Sequence, residues 1–207
     1  MEKFIPRVGY VFSNPENQIV STVVEEDVAF GLENMGMDPS MIALRVQESL
    51  QRVEMEPYRH QSPYLLSGGQ QQKVVLAGIL AMESEVLVLD EPTSMLDSKG
   101  REEILNLLQK IHGQGEKTVL HITHSVEEAL RAEDLLIFNR GRISFYGLAE
   151  DFFSGDFVPE SEWGELPPFF RLLQGLRSRG HAIPPKLRSV EEFKIFLLQR
   201  RKVERES

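Results

Sequence analysis

The sequence has 207 residues, with 23 Lys or Arg against 32 Asp or Glu, a formal net charge of -9 and no cysteine. This balance excludes a surface that binds nucleic acid through phosphates alone, and the missing thiols exclude a disulfide framework and a thiolate metal site. The longest strongly apolar run, Val74 to Met82, is far short of the ~20 residues that span a bilayer, and the stretch MEKFIPRVGY has no apolar signal core. The acidity is uneven: Arg177 to Ser207 holds nine Lys or Arg and four Glu. Such a stretch suits a solvated helix face, or a contact with anionic lipid or an acidic partner.

Taken in chain order, Arg7 to Phe12 reads as a short strand stopped by the turn-forming Asn14-Pro15. Glu25 to Asn34 and Met41 to Val53 carry apolar residues at helical spacing, divided by Gly36 and an Asp38-Pro39-Ser40 start signal. A helix opens at Ser67. Val86 to Pro92 is a continuous apolar run ended by proline, the pattern of a parallel strand buried on both faces. Ser98 to His112 is expected to be helical, Thr118 to His124 a second buried strand, and Val126 to Arg131 a helix. Asp134 to Gly147 reads as a hairpin turning at Arg140-Gly141. Strands alternating with helices predict an α/β domain on a largely parallel sheet. The segment from Glu150, with Gly155 and Pro159, reads as a linker, and two amphipathic helices are expected on either side of Pro184-Pro185.

Ligands of a parallel α/β sheet bind outside the carboxyl ends of its strands. Asp90 and Glu91 stand there after VLVL, and His124 after TVLHIT. A carboxylate pair at such an edge suits Mg²⁺ held through water and a positioned nucleophile; a strand end followed by a turn is the plainer account of Asp-Glu-Pro. For His124 the plainer account is a strand-end histidine with a hydrogen bond. The stretch LSGGQQQK is more pointed. Ser67 and Gln70 are spaced as a capping box, so the helix start exposes its first N–H groups, where the helix dipole favours an anion. Glycine inside a helix costs about 0.5 to 1 kcal/mol relative to alanine, and Gly68-Gly69 are explained if a phosphate must approach the backbone.

LSGGQQQKVVLAG, VLVLDEPTSMLD and HITHS stand in the order of the signature motif, the Walker B strand with its D-loop, and the switch histidine of ABC-type ATPases, which the chain resembles. VGYVFSNPENQIV, EEDVAFGLEN, TSMLDSKGREEIL and THSVEEALRAEDLLIFNRGRI are similar to ATPase subunits of energy-coupling-factor uptake systems for vitamins and for cobalt or nickel. LPPFFRLLQGLRSRG and SVEEFKIFLL are similar to that group's C-terminal extension.

The resemblance implies an α/β P-loop NTPase core with a helical subdomain over about residues 20–82. It also implies a partial nucleotide-binding domain over residues 1–149, a linker over 150–164 and a helical extension over 165–207. It implies ATP and Mg²⁺ as cofactors, with Ser67, Gly68, Gly69 and Gln70 at the γ-phosphate of ATP held mainly by a partner subunit. Asp90 would support Mg²⁺, Glu91 would be the general base, His124 a γ-phosphate sensor, and Asp97 would lie across the dimer interface. The implied partners are a second ATPase subunit, identical or paralogous, a transmembrane coupling subunit and a membrane subunit that selects the substrate. The implied location is the cytoplasmic face of the membrane. Glu25, Glu26 and Asp27 fall in the region that usually faces the transmembrane partner, although a helix start favours acids in any case. No role attaches to His60, His112, His121 or His181.

Two departures qualify this. None of the 15 glycines is followed by lysine, so no G-x-x-x-x-G-K-[ST] phosphate cradle stands in these residues. The core is therefore expected to be N-terminally incomplete, and this polypeptide alone is expected neither to bind ATP tightly nor to hydrolyse it. Ser13 stands where the family usually has glutamine; Gln18 matches another glutamine of the energy-coupling group, or is a solvated loop residue. Two other readings stay open: a catalytically dead docking and dimerisation subunit, and a soluble ABC-type ATPase of DNA or ribosome metabolism. The heptad insertions or basic surfaces typical of the last are missing from these residues.

Overall fold

Val86–Asp90, the most apolar strand of the sequence, pairs on both sides with parallel neighbours. In the computed structural model, which describes residues 7–113, 115, 117–154, 168–184, 187 and 189–206, it is β2 of a sheet ordered β1-β2-β3. Its neighbours are β1 (Val8–Val11) and β3 (Thr118–Ile122). Tyr10, Val88 and Leu120 share one register row, and Asp90 pairs with Ile122. On one face Val11, Leu87 and Leu89 are fully buried, and Val119 and His121 of β3 are half-buried. Period-two alternation puts Val8, Tyr10, Leu120 and Ile122 on the opposite face, where Leu120 is 50% exposed and Ile122 44%. The expectation of a second buried strand is thus corrected. β3 is apolar enough to be covered on both sides, but its outer side chains are exposed.

The chain divides into two compact units, Met1–Thr123 and His124–Ser207. In the first, α1 (Val24–Asn34), α2 (Pro39–Arg52), α3 (Gly68–Ala81) and α4 (Ser98–Gly113) supply the cover. Asp38 starts α2 by accepting the Ser40 N–H at 2.9 Å, with Pro39 in the first turn, as its sequence indicates. Val24, Val28, Leu32, Val46, Leu50, Val74 and Leu76 form one core with the sheet.

α1 has no side-chain cap; its first N–H groups donate instead to backbone carbonyls, Val24 to Gln61 and Glu25 to Arg59. The Glu25 carboxylate accepts from Arg59 Nε at 3.0 Å and Nη2 at 2.7 Å and lies 2.8 Å from His60 Nδ1. The Arg59 hydrogen bonds, helped by His60 and opposed by desolvation, hold the Glu25 carboxyl below its ordinary value. A lowered folded value means that the stabilisation is present above the unfolded pKa and is lost as pH falls through the folded one. Arg59→Met is therefore expected to cost up to about 1 kcal/mol at neutral pH, a modest figure for a partly exposed pair. Urea midpoints of the variant and the parent should converge as pH falls through the lowered Glu25 value; a difference undiminished by acid would assign Arg59 a packing role instead.

The second unit holds the hairpin of β4 (Asp134–Asn139) and β5 (Arg142–Leu148). Its two-residue turn places both Arg140 and Gly141 at positive φ, the geometry whose twist matches paired strands. Helices α5 (Val126–Ala129), α6 (Ala149–Ser154), α7 (Pro168–Ser178) and α8 (Val190–Glu206) complete it. Phe145, Phe152, Phe153, Phe170 and Phe169 form a continuous run of ring contacts. Glu150–Ser154, expected to begin a linker, is helical, because Glu150 and Asp151 fall in a first turn that favours acids. The rest of that stretch, through residue 164, lies outside the described residues. No helix among the described residues is long and apolar enough to cross a membrane.

Candidate functional site

Ser67 has extended backbone and caps α3: its Oγ accepts the Gln70 N–H at 3.4 Å while Gln70 Oε1 accepts the Ser67 N–H at 2.9 Å. The reciprocal capping box expected from the spacing is formed. Gln70 therefore spends its side-chain oxygen on the cap. Gly68 and Gly69 occupy the first helical turn, whose N–H groups have no intrahelical acceptor. Neither has positive φ. A Cβ on Gly68 would come no nearer than 3.4 Å to Leu96 Cδ2, and one on Gly69 no nearer than 3.4 Å to Gly100 Cα, ordinary contacts in both cases. The packing of the unit thus requires glycine at neither position.

The helix start is packed beside the segment that leaves β2. Gly68 abuts Leu96, Gly69 abuts Gly100 at the start of α4, and one turn further on Lys73 pairs with Glu103 at 2.9 Å. The Lys73 hydrogen bond holds the Glu103 carboxyl below its ordinary value. Asp97 Oδ1 accepts the Gly100 N–H at 2.7 Å and its carbonyl accepts the Arg101 N–H, so Asp97 caps α4.

Asp90 ends β2 at the carboxyl edge, as expected, and accepts a hydrogen bond from the Tyr10 hydroxyl at 2.8 Å. That bond raises the Tyr10 pKa, with desolvation and the Asp90 charge adding to it. Glu91 has φ +48°, a left-handed conformation rare for a residue with a Cβ. Its N–H donates to Ile122 O at 3.0 Å, and its carbonyl accepts from Ser94 Oγ at 2.9 Å and Ser94 N at 3.1 Å. Strain held in place by several bonds is common at functional sites.

Gln18 is not a solvated loop residue: its Nε2 donates to Tyr10 O at 2.9 Å and its Oε1 accepts the Phe12 N–H at 3.1 Å. The amide thus imitates a neighbouring strand along β1 and fixes the strand that carries Tyr10. Ser13 lies in the loop between them, half-buried. His124 follows β3 by two residues and is the first residue of the second unit. Tyr10 and Ser94 were missed by sequence reasoning. Tyr10 gave no signal, because its contact depends on sheet register; Ser94 gave a weak one, as a serine three residues after Glu91 in a proline turn.

Among the described residues no group of three or more His, Asp or Glu could hold a metal by itself. Asp90 nonetheless fits Mg²⁺, which takes one or two carboxylates, water and substrate phosphates rather than an all-protein cage.

A parallel sheet with two acids at its carboxyl edge, beside a glycine-opened helix start, is the arrangement of an ABC ATPase, and residues 1–94 match the ABC transporter family. The chain is similar to cbiO1 from Clostridium perfringens, part of the ABC transporter complex cbiONQ. That match has a TM-score of 0.69 and 33% identity over 81% of this chain and 67% of that one. It is also similar to the ATP-binding cassette MJ0796, solved as a dimer bound to ADP and Pi, with a TM-score of 0.60 and 31% identity over 70% and 63% of the two chains.

Three energy-coupling factor transporter ATP-binding proteins named EcfA1 narrow the class. That of Clostridium novyi is 41% identical over 89% of this chain and 66% of its own length. That of Geobacillus kaustophilus is 44% identical over 86% and 63%, and that of Clostridioides difficile 40% identical over 92% and 69%. The chain belongs to the energy-coupling factor transporter ATP-binding protein family of ABC ATPases. It spans less than two thirds of the length of the first two of these relatives.

Proposed function

We propose that the chain is the ATP-binding and ATP-hydrolysing subunit of an energy-coupling factor importer. In this reading it drives uptake of a vitamin or of cobalt or nickel from the cytoplasmic face of the membrane. It pairs with a second ATP-binding subunit, identical or paralogous, and docks on a transmembrane coupling subunit associated with a substrate-binding membrane subunit. The observation that carries the reading is the capped helix start with two glycines that its own packing does not require. Ser67 Oγ and the Gly68 and Gly69 N–H groups would grip the γ-phosphate of a nucleotide held by the partner subunit.

At the sheet edge, Asp90 would hold Mg²⁺, which when bound neutralises charge on the phosphates. Glu91 would take the proton of the attacking water as general base, its backbone fixed for that task by Ile122 and Ser94. Tyr10 holds one Asp90 oxygen in place. His124 would sense the γ-phosphate, and Asp97, at the cap of α4, would face the partner.

A second reading, a docking and dimerisation subunit without turnover of its own, is favoured by one observation: no G-x-x-x-x-G-K-[ST] run stands in the 207 residues. On both readings turnover needs a phosphate cradle from outside these residues. The isolated 207-residue chain with Mg²⁺ and ATP is therefore expected to show no phosphate release that Glu91→Gln abolishes. Adding an intact ATP-binding subunit should restore turnover that depends on Gly69. Glu91-dependent release by the isolated chain contradicts the need for an outside cradle; turnover of the mixture indifferent to this chain's Gly69 favours the docking subunit.

A further inference from the structure

Gln72 is fully buried in α3, and neither its Nε2 nor its Oε1 has a hydrogen-bond partner. Buried amides are almost always paired, so one left over in a packed core calls for a cause. Its surroundings follow from helix geometry. At about 3.6 residues per turn, Gln72 shares a face with Gly68, one turn before it, and Ile79, two turns after it. Gly68 abuts Leu96, and Ile79 abuts Gly9 of β1. On the flank of that face, Gly69 abuts Gly100 and Lys73 pairs with Glu103. The amide of Gln72 therefore lies beneath the segment that runs from the end of β2 to the start of α4.

That same segment contains the strained Glu91. Two unfavourable features, a left-handed backbone at a residue with a Cβ and an orphaned carboxamide, thus belong to this segment and to the helix packed against it. A single displacement of the loop relieves both, if Glu91 leaves the left-handed region while a backbone group of residues 92–96 turns inward to Gln72. We propose that Gln72 is a positioning residue with a partner only in this second arrangement. It thereby couples the glycine-opened helix start to the placement of the Glu91 carboxylate. The inference rests on Glu91 being the general base of the proposed function, but its test does not require turnover.

Gln72→Met keeps the length of the side chain and removes both polar atoms. With no bond to lose in the present arrangement, it should raise the thermal midpoint of the 207-residue chain by about 3 °C or more. Backbone amide relaxation dispersion on the parent chain should detect microsecond-to-millisecond exchange at Glu91 and residues 93–96. In Gln72→Met that exchange should vanish, a readout that a merely structural side chain would not move. Gln72→Leu, shorter and apolar, should also quench it, which guards against a peculiarity of methionine packing. The proposal is overturned if Gln72→Met lowers the midpoint, if the parent loop shows no exchange, or if the exchange persists in both variants. Turnover of the assembly with an intact ATP-binding subunit, with and without Glu91→Gln in this chain, tests the general-base role separately, so failure of one leaves the other standing.

Discussion

Gly69→Ala is expected to leave the fold intact or make it more stable by up to about 1 kcal/mol, while lowering ATP turnover of the assembled subunits by about 10²-fold. On the folding side, the new methyl meets only Gly100 Cα, at 3.4 Å, and the backbone is already right-handed. Alanine then helps a helix that glycine weakens. On the chemical side, a methyl group at the mouth of the first turn holds a phosphate away from the N–H groups it would otherwise reach. Gly68→Ala should behave similarly, since its methyl meets Leu96 Cδ2 at 3.4 Å. Denaturant melts of the chain beside turnover assays of the assembly check both halves. Loss of stability in step with activity would mean that the glycines serve packing after all.

Gly9→Ala is expected to do the reverse, costing about 1 to 3 kcal/mol of stability through overpacking. The added methyl would overlap Ile79 Cγ2 and press on Ser84 Oγ at 3.3 Å. Ile79 is branched at Cβ and held inside α3, so its methyl has little freedom to withdraw. Gly31 provides the contrast: there a new Cβ would meet the sulfur of Met82 at 2.6 Å, the far end of an adaptable side chain. Gly31→Ala should therefore cost much less than Gly9→Ala. Combining Gly9→Ala with Ile79→Ala removes the colliding methyl, and the double variant should lose less than the sum of its parts. Strict additivity of the two would contradict the collision.

The features legible in the sequence were those fixed by neighbours in the chain. The Ser67–Gln70 capping box, the Asp38-Pro39 helix start and the Arg140-Gly141 turn each depend on a few consecutive residues, and all three are formed as their spacing indicates. What escaped depends on pieces distant in sequence or on cover. An apolar strand reads the same whether or not its outer face is occupied, which is why the exposure of Leu120 and Ile122 was not foreseen. The contact of Tyr10 with Asp90 requires strands 80 residues apart to pair in one register. Gln18 reaches β1 only because the loop after Phe12 doubles back, with Asn14 accepting the Glu16 N–H at its bend. The left-handed Glu91 carries no residue signal of its own, since glutamate is not a turn former; only the long-range bond to Ile122 and the Ser94 clamp reveal how it is held.

The two acidic residues at the sheet edge are held by different local constraints. Asp90 is in register with Ile122 and pinned from β1 by Tyr10, whereas Glu91, one residue later, is turned by its backbone away from the strand's alternation. Adjacent carboxylates would otherwise point to opposite faces of the strand. The backbone of Glu91 thus breaks the alternation just after the residue that Tyr10 pins.

The most direct measurement is a structure of this chain paired with an intact ATP-binding subunit and trapped with Mg²⁺ and ATP. Ser67 Oγ and the Gly69 N–H are expected within about 3.5 Å of γ-phosphate oxygens held by the partner. A trapped pair in which the α3 start faces solvent, or lies on a surface remote from the triphosphate, would contradict that placement.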